Sequence, residues 1–292
     1  MTPDLRNAGY SFDATTNIWL RQGYAGIAYS DGEEVEQRIA SIINEATDLR
    51  VFSSELRQRC TDWPSLYHLS GTRTNILRPF ESELRGDILE IGAGCGAITR
   101  YLGECGGNVL ALEGSPRRAA IARARTRDLC NVTVLSDKFD LFAPNEKFDV
   151  ITLIGVFEYA SLFTSGEEPA LRMLEHVRTL LKPQGRLFIA IENQLGLKYL
   201  AGAPEDHLGQ PMYGIEGRYL KHQPQTYGRA RLSEMLERTG FSTFDFLAPF
   251  PDYKLPVSII AEGCVDREKK NTTLISFKNI SSNSYYKLYI LL

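Results

Sequence analysis

Between residues 87 and 261, short apolar runs alternate with segments whose apolar positions recur every three or four residues. Short apolar runs suit strands buried on both faces, and the 3.6-residue period suits helices that cover them. The alternation therefore predicts a doubly wound α/β fold with a mostly parallel sheet. Strands are predicted at Ile88–Ile91, Val109–Leu112, Val132–Leu135, Phe148–Ile154 and Arg186–Ile191, with Phe244–Leu247 and Pro256–Ala261 completing the sheet. Ser115 followed by Pro116 marks a helix start, because the serine hydroxyl accepts from a free N–H of the first turn and proline has no N–H to leave unpaired. A second helix carries Leu171, Leu174, Val177 and Leu181 inward and stops at Lys182-Pro183-Gln184-Gly185. A third, capped by Thr226, turns Leu232, Met235 and Leu236 inward and ends at Gly240.

Outside this frame the pattern changes three times. Residues 1–80 read as a helical extension: Ser30-Asp31-Gly32-Glu33 has capping-box spacing, and Val35, Ile39, Ile42, Ile43, Ala46 and Leu49 then share a face. The aromatic and polar mixture from Trp63 to Pro79 runs straight into the first strand, where it is placed to cross a pocket as a lid. Residues 194–228 form a Gly-, Pro- and Tyr-rich insertion after the fifth strand, and long loops at such strand ends carry function. From Val265 to Leu292 the chain has no Ala, Gly or Pro. It reads as an atypical tail of the kind a truncation or shifted frame leaves, with alternating apolar positions that suit an edge strand. The domain reading is 1–80, then 81–264 with its insertion, then 265–292.

Charge and cysteine usage remove several classes. Lys plus Arg number 33 against 36 for Asp plus Glu, so no global basic field draws the chain to nucleic acid. Arg117, Arg118, Arg123, Arg125 and Arg127 make one helix basic, but without interleaved aromatics it reads as a solvated face. No run of about 18 apolar residues predicts a membrane span, and no basic start followed by an apolar run predicts secretion, so the expected location is cytoplasmic. Cys60, Cys95, Cys105, Cys130 and Cys264 include no Cys-x-x-Cys pair; they read as reduced thiols, with neither a disulfide framework nor a metal site expected.

Chemistry concentrates at Gly92-Ala93-Gly94-Cys95-Gly96-Ala97, directly after the first strand. Glycines there permit positive φ and close ligand approach, while the free N–H groups of the next helix face an anionic group. Glu113 stands 21 residues after Gly92, where a dinucleotide fold keeps its ribose-binding acid, so the turn alone admits NAD or S-adenosylmethionine. Glu90 separates them, because its carboxylate repels a pyrophosphate and attracts an ammonium or sulfonium. Asp137, after the third strand, is placed to accept from an adenine amine, as Glu113 is from ribose hydroxyls.

Five segments in order, LEIGAGCG, LALEGS, LSD, FDVITLIGVFEYA and LLKPQGRLFIAIEN, give the chain from about Asp87 to Ala261 a close resemblance to class I S-adenosylmethionine-dependent methyltransferases. The resemblance implies a seven-stranded sheet whose last strand is antiparallel, with S-adenosylmethionine lying across the C-terminal ends of the first two strands. It puts Glu90, Gly92, Gly94 and Gly96 around the methionine part of the cofactor, Glu113 on the ribose, Asp137 beside the adenine, and the backbone near Ile154 and Gly155 along the wall. At Glu158-Tyr159, where many relatives carry a histidine, the chain departs. A narrower resemblance rests on Tyr67–Ser70, Glu192–Lys198, Gly202–His207, Tyr213–Tyr219 and Pro249–Pro256. It is to bacterial methyltransferase modules found beside or fused to glycosyltransferases for cell-surface polysaccharides, and it implies a small-molecule, glycan or lipid-linked acceptor and a glycosyltransferase partner. Two other readings stay open: an NAD-dependent oxidoreductase or epimerase, and a non-catalytic cofactor-binding module that recruits a glycosyltransferase.

Methyl transfer to a hydroxyl needs a base. His207, within Glu205-Asp206-His207, is the candidate, since either acid is placed to orient its imidazole; the plainer reading is a loop histidine satisfied by backbone or water. Tyr213, Glu216 and Arg218 are candidates to shape the acceptor pocket. Arg73 is a candidate to reach the cofactor carboxylate, against an ordinary ion pair. His176 reads as surface, His68 as part of the lid, Cys95 as a small apolar filler, and Phe246, Phe250 and Tyr253 as core and pocket wall.

Overall fold

Residues 4–261 and 287–291 are described by a computed structural model. In chain order the elements are β1 (Tyr10–Asp13), β2 (Ile18–Arg21), α1 (Glu33–Glu45), α2 (Ser54–Gln58), α3 (Trp63–Leu69), two 3-10 turns (Gly71–Ile76 and Arg78–Glu83), β3 (Asp87–Ile91), α4 (Ala97–Glu104), β4 (Asn108–Glu113), α5 (Pro116–Arg125), β5 (Val132–Ser136), β6 (Phe148–Ile154), α6 (Ala160–Phe163), α7 (Pro169–Leu180), β7 (Leu181–Ala190), α8 (Leu197–Leu200), α9 (Arg229–Arg238), β8 (Phe244–Phe250), β9 (Ser258–Ala261) and β10 (Lys287–Leu291).

The strands pair in the order β1-β2-β5-β4-β3-β6-β7-β10-β8-β9. The seven from β5 to β8 all run parallel and supply the doubly wound frame that the apolar runs predict. Chain order reverses at the β3–β6 junction, so a crevice opens at the C-terminal ends of these strands. Alternate residues of each strand serve opposite faces. Leu89, Ile91, Leu110, Leu112 and Leu153 pack beneath α7 and α9, while Ile88, Val109, Ala111 and Val150 pack beneath α4, α5 and the 3-10 turns. A third layer forms where Ile39 and Ile43 of α1, with Leu56 and Leu69, cover Ile121 of α5.

Several expectations change at the ends of the sheet and of the helices. Residues 10–21 are an antiparallel hairpin rather than helix, and β2 extends the sheet by pairing in parallel with β5 through Trp19 and Leu20. That pairing satisfies ladder groups β5 would otherwise expose at an edge. β10 lies between β7 and β8 in the interior of the sheet, not at an edge, and pairs in parallel with both. The antiparallel pairing falls instead on β8 with β9. The rest of the tail reading, residues 265–286 and 292, lies outside the described residues.

Ser115 caps α5 as predicted. Ser30 does not cap α1, whose N-cap is Gly32; its hydroxyl donates to Glu36 instead. Thr226 does not cap α9, which starts after Gly228, because its hydroxyl is paired with Tyr219 at 2.6 Å. Leu181 and the Lys182–Gly185 stop belong to β7, where Gln184 adopts φ 65 and the register against β6 shifts. Nor is α5 a solvated basic face: the third layer buries Arg118 and Arg125, and Arg127 donates to the Ile43 and Ala46 carbonyls at the end of α1. His176 is half-buried and stacks on Phe139 at 4.6 Å rather than lying free on the surface. Phe250 is exposed, whereas Phe246 and Tyr253 are buried.

Candidate functional site

The glycine turn is built by backbone that only glycine adopts without strain. Gly92 sits at φ 78 and its amide donates to the Leu112 carbonyl at 2.8 Å, tying the end of β3 to β4. A Cβ at Gly92 would stand 2.3 Å from Val156 Cγ2, and one at Gly96 (φ 84) 2.8 Å from the Ala122 backbone, so both positions require close approach as well as positive φ. Glu113 closes the turn from β4, accepting from the Gly94 amide at 2.7 Å and the Ser115 amide at 2.9 Å. The turn opens onto a cavity of about 620 Å³.

Of the predicted residues, Glu90, Gly92, Gly94, Glu113, Asp137, Ile154, Gly155, Arg73 and His207 line this cavity, and Gly96 stands behind it as the N-cap of α4. Glu90 is buried with one carboxylate oxygen that finds no hydrogen-bond partner. Burial pushes its pKa up to about 7. Arg73 reaches the same space from the lid, but its partners are the Tyr253 and Lys254 carbonyls and the Tyr67 hydroxyl, not a carboxylate, so the ordinary ion pair does not form. Trp63, Tyr67 and His68 line the cavity too, and His68 is held by Asp31 at 2.9 Å. Cys95 is buried, and burial raises its thiol to about 12.

Asp137 is occupied differently from the expectation. Arg21 Nε donates to both its oxygens at 2.8 and 2.7 Å, the Tyr10 hydroxyl donates at 2.6 Å, and the Lys138 amide donates at 2.8 Å. The N-terminal hairpin therefore uses this carboxylate as its anchor, leaving it little accepting capacity for an adenine amine. Tyr213, Glu216 and Arg218 are not brought to the cavity. Tyr213 is buried inside the insertion and donates to Gln223, and Arg218 pairs with Glu216 at 2.9 Å while lying over the Tyr213 ring.

The insertion does bring His207 in. Glu205 accepts from the His207 amide at 2.8 Å and holds Nδ1 at 3.0 Å, so Glu205 orients the imidazole while Asp206 is engaged by Lys198 and Tyr199. Nε2 then faces Glu158 Oε1 at 3.9 Å. Burial works to lower the His207 pKa, but the Glu205 hydrogen bond and the charges of Glu192 and Glu158 outweigh it and the net shift is upward. Glu158, after β6, and Glu192, after β7, are both buried, and each keeps one oxygen without a partner. Burial, then the Glu192 charge, raises Glu158 to about 8. Lys254 pairs with the other Glu192 oxygen. Sequence reasoning gave no role to Glu192, Lys254 or the Arg21–Asp137 clamp; only the position of Glu192 at a strand end signalled it.

Residues 89–187 match a family model described as a methyltransferase domain. That stretch runs from β3 to β7 and contains the glycine turn, Glu113 and Asp137. This part of the chain is similar to a methyltransferase domain. A demethylmenaquinone methyltransferase from Tropheryma whipplei is 33% identical over 166 residues, which is 53% of this chain and 66% of that protein. A ubiquinone biosynthesis O-methyltransferase from Hydrogenovibrio crunogenus is 23% identical over 142 residues, 48% of this chain and 56% of the relative. The match thus spans just under two thirds of the first relative's length. Among solved structures, a DhpI–SAH complex superposes with TM-score 0.43 at 20% identity, covering 72% of this chain and 89% of that one. An S-adenosylmethionine-dependent methyltransferase from Clostridium acetobutylicum does so with TM-score 0.45 at 15% identity, covering 57% and 79%. The lid, the insertion and the Asp252–Lys254 loop, which also line the cavity, lie outside residues 89–187.

Proposed function

We propose that the chain methylates a hydroxyl of a small molecule, glycan or lipid-linked intermediate, in cell-surface polysaccharide synthesis and beside a glycosyltransferase. The observation that carries the reading is one cavity with two unlike groups: an unpartnered buried carboxylate at Glu90 beside the glycine turn, and the Glu158–Glu192–His207 cluster. When bound, S-adenosylmethionine supplies an electrophilic methyl on a sulfonium. Glu90 offers its free oxygen to the positive charge of that donor, the Gly92–Gly96 turn lets the backbone approach it, Arg73 faces its carboxylate, Glu113 accepts from the ribose hydroxyls, and Ile154 and Gly155 form a wall. Asp137 acts through the hairpin it anchors, which covers the adenine side.

His207 is the proposed catalytic residue. Its Nδ1 is held by Glu205, which leaves Nε2 on the cavity side to draw the acceptor's proton away as the acceptor oxygen bonds to carbon. The lid and insertion exclude water from the transfer. A lipid-linked acceptor is favoured by Leu195, Leu197, Leu200 and Leu220, which the insertion leaves exposed, and it is in keeping with the demethylmenaquinone and ubiquinone in the names of the two relatives. Incubating the chain with methyl-labelled donor and a cell-envelope extract should place label in the lipid- or glycan-extractable fraction. Donor binding with no incorporation would favour the non-catalytic recruiting module.

A further inference from the structure

We infer that Glu158, Glu192 and His207 form a binding site for one first-row divalent cation at the acceptor end of the cavity. The inference deepens the acceptor reading above and rests on it. One ligating atom from each residue lies within 4.8 Å of the other two, and all three residues line the cavity. They come from separate places in the fold, the turn after β6, the end of β7 and the insertion, so no local sequence pattern announces the set.

Two observations beyond the clustering point to a cation. Glu158 and Glu192 are only 1% and 4% exposed, and each keeps a buried carboxylate oxygen with no hydrogen-bond partner, a state that is costly unless something positive completes it. His207 is already arranged as metal-binding histidines are: one ring nitrogen is held by a carboxylate, here Nδ1 by Glu205 at 3.0 Å, and the other is turned toward the ligand set. Lys254 does not fill the gap, because it takes one Glu192 oxygen and leaves the second free.

The donor types choose the ion. Imidazole with two carboxylates suits Mn²⁺, Fe²⁺ or Zn²⁺ better than Mg²⁺ or Ca²⁺, which prefer all-oxygen sets. Bonds of roughly 2.0–2.2 Å require the three atoms to close in by about an ångström, within reach of carboxylate rotation. Three protein ligands leave positions open for an acceptor oxygen, as catalytic rather than structural sites do. With Nε2 taken by the ion, His207 serves as a ligand in place of the direct base role above: the ion would lower the pKa of a bound acceptor hydroxyl, whose proton would pass to the Glu158 carboxylate oxygen left outside the ligand set.

The test uses the full chain after chelator treatment, titrated with Mn²⁺ and followed by electron paramagnetic resonance, with Zn²⁺ by calorimetry. One equivalent should bind. Glu192→Gln and His207→Ala should each lose it, and Glu205→Gln should weaken it by roughly 10–100-fold. S-adenosylhomocysteine affinity, read on the same samples, should stay within about threefold in all three variants, which also reports that they fold. Failure of the parent chain to bind either ion at one equivalent while still binding S-adenosylhomocysteine overturns the cation site and leaves the donor reading standing. Failure to bind S-adenosylhomocysteine overturns the donor reading instead.

Discussion

At the scale of single residues, the proposed donor end of the cavity turns on Glu90. Its carboxyl is pushed up to about 7 by burial, with the Glu113 charge adding to the rise and the Arg73 charge opposing it. A bound cation prefers the ionised form, so donor affinity should rise with pH up to about 7 and level off above it. Glu90→Gln should weaken S-adenosylmethionine binding by roughly 1.5–3 kcal/mol, the range for hydrogen bonds to charged groups, and flatten that pH profile; calorimetry between pH 5.5 and 8.5 measures both. An unchanged profile in the variant would remove Glu90 from the donor site. The same group works against the donor-free fold. Its folded pKa exceeds the ordinary 4.5, so its contribution to stability is full below about pH 4.5 and is lost as pH rises through 7. Without donor, Glu90→Gln should therefore melt like the parent at pH 5 and above it at pH 8.

At the scale of elements, the N-terminal hairpin and the Asp137 wall of the cavity are one unit. Arg21 on β2 and Tyr10 on β1 are cross-strand partners joined by a 2.8 Å hydrogen bond, and both reach Asp137, just beyond the strand β2 pairs with. Arg21→Ala should leave the buried Asp137 carboxylate short of partners and cost roughly 1–3 kcal/mol in denaturant unfolding, with a parallel loss of donor affinity. Lost stability with unchanged affinity would confine the hairpin to a structural role. This contact also shows why the hairpin was illegible in the chain. Residues 10–13 and 18–21 are four-residue strands, too short for a periodicity, and what stabilises them is an exposed edge of β5 more than a hundred residues away. The reverse holds for β3 and α5, whose apolar run and Ser115-Pro116 start depend on nearest neighbours and were readable directly.

At the scale of the whole molecule, donor binding should be visible as global stability. The cavity draws walls from the lid, the parallel sheet, the insertion and the Asp252–Lys254 loop, so a ligand there holds together parts far apart in sequence. S-adenosylhomocysteine at about 100 times its Kd should add roughly 2.7 kcal/mol to unfolding, and NAD at the same concentration nothing. Stabilisation by NAD alone would return the oxidoreductase reading.

What the chain determines by itself is the chemistry that neighbours dictate: buried parallel strands from continuous apolar runs, a glycine turn from its spacing, and a carboxylate two residues ahead of it. The proposed acceptor end was decided only by tertiary structure. Glu158, Glu192 and His207 face one another because β6 and β7 are adjacent in the sheet and the insertion folds back over their ends. Asp137 and Arg118, legible as types, took their partners, Arg21 and Asp31, from N-terminal segments far from them in sequence. Periodicity reports which side of an element is buried, but which two buried charges meet depends on long-range packing.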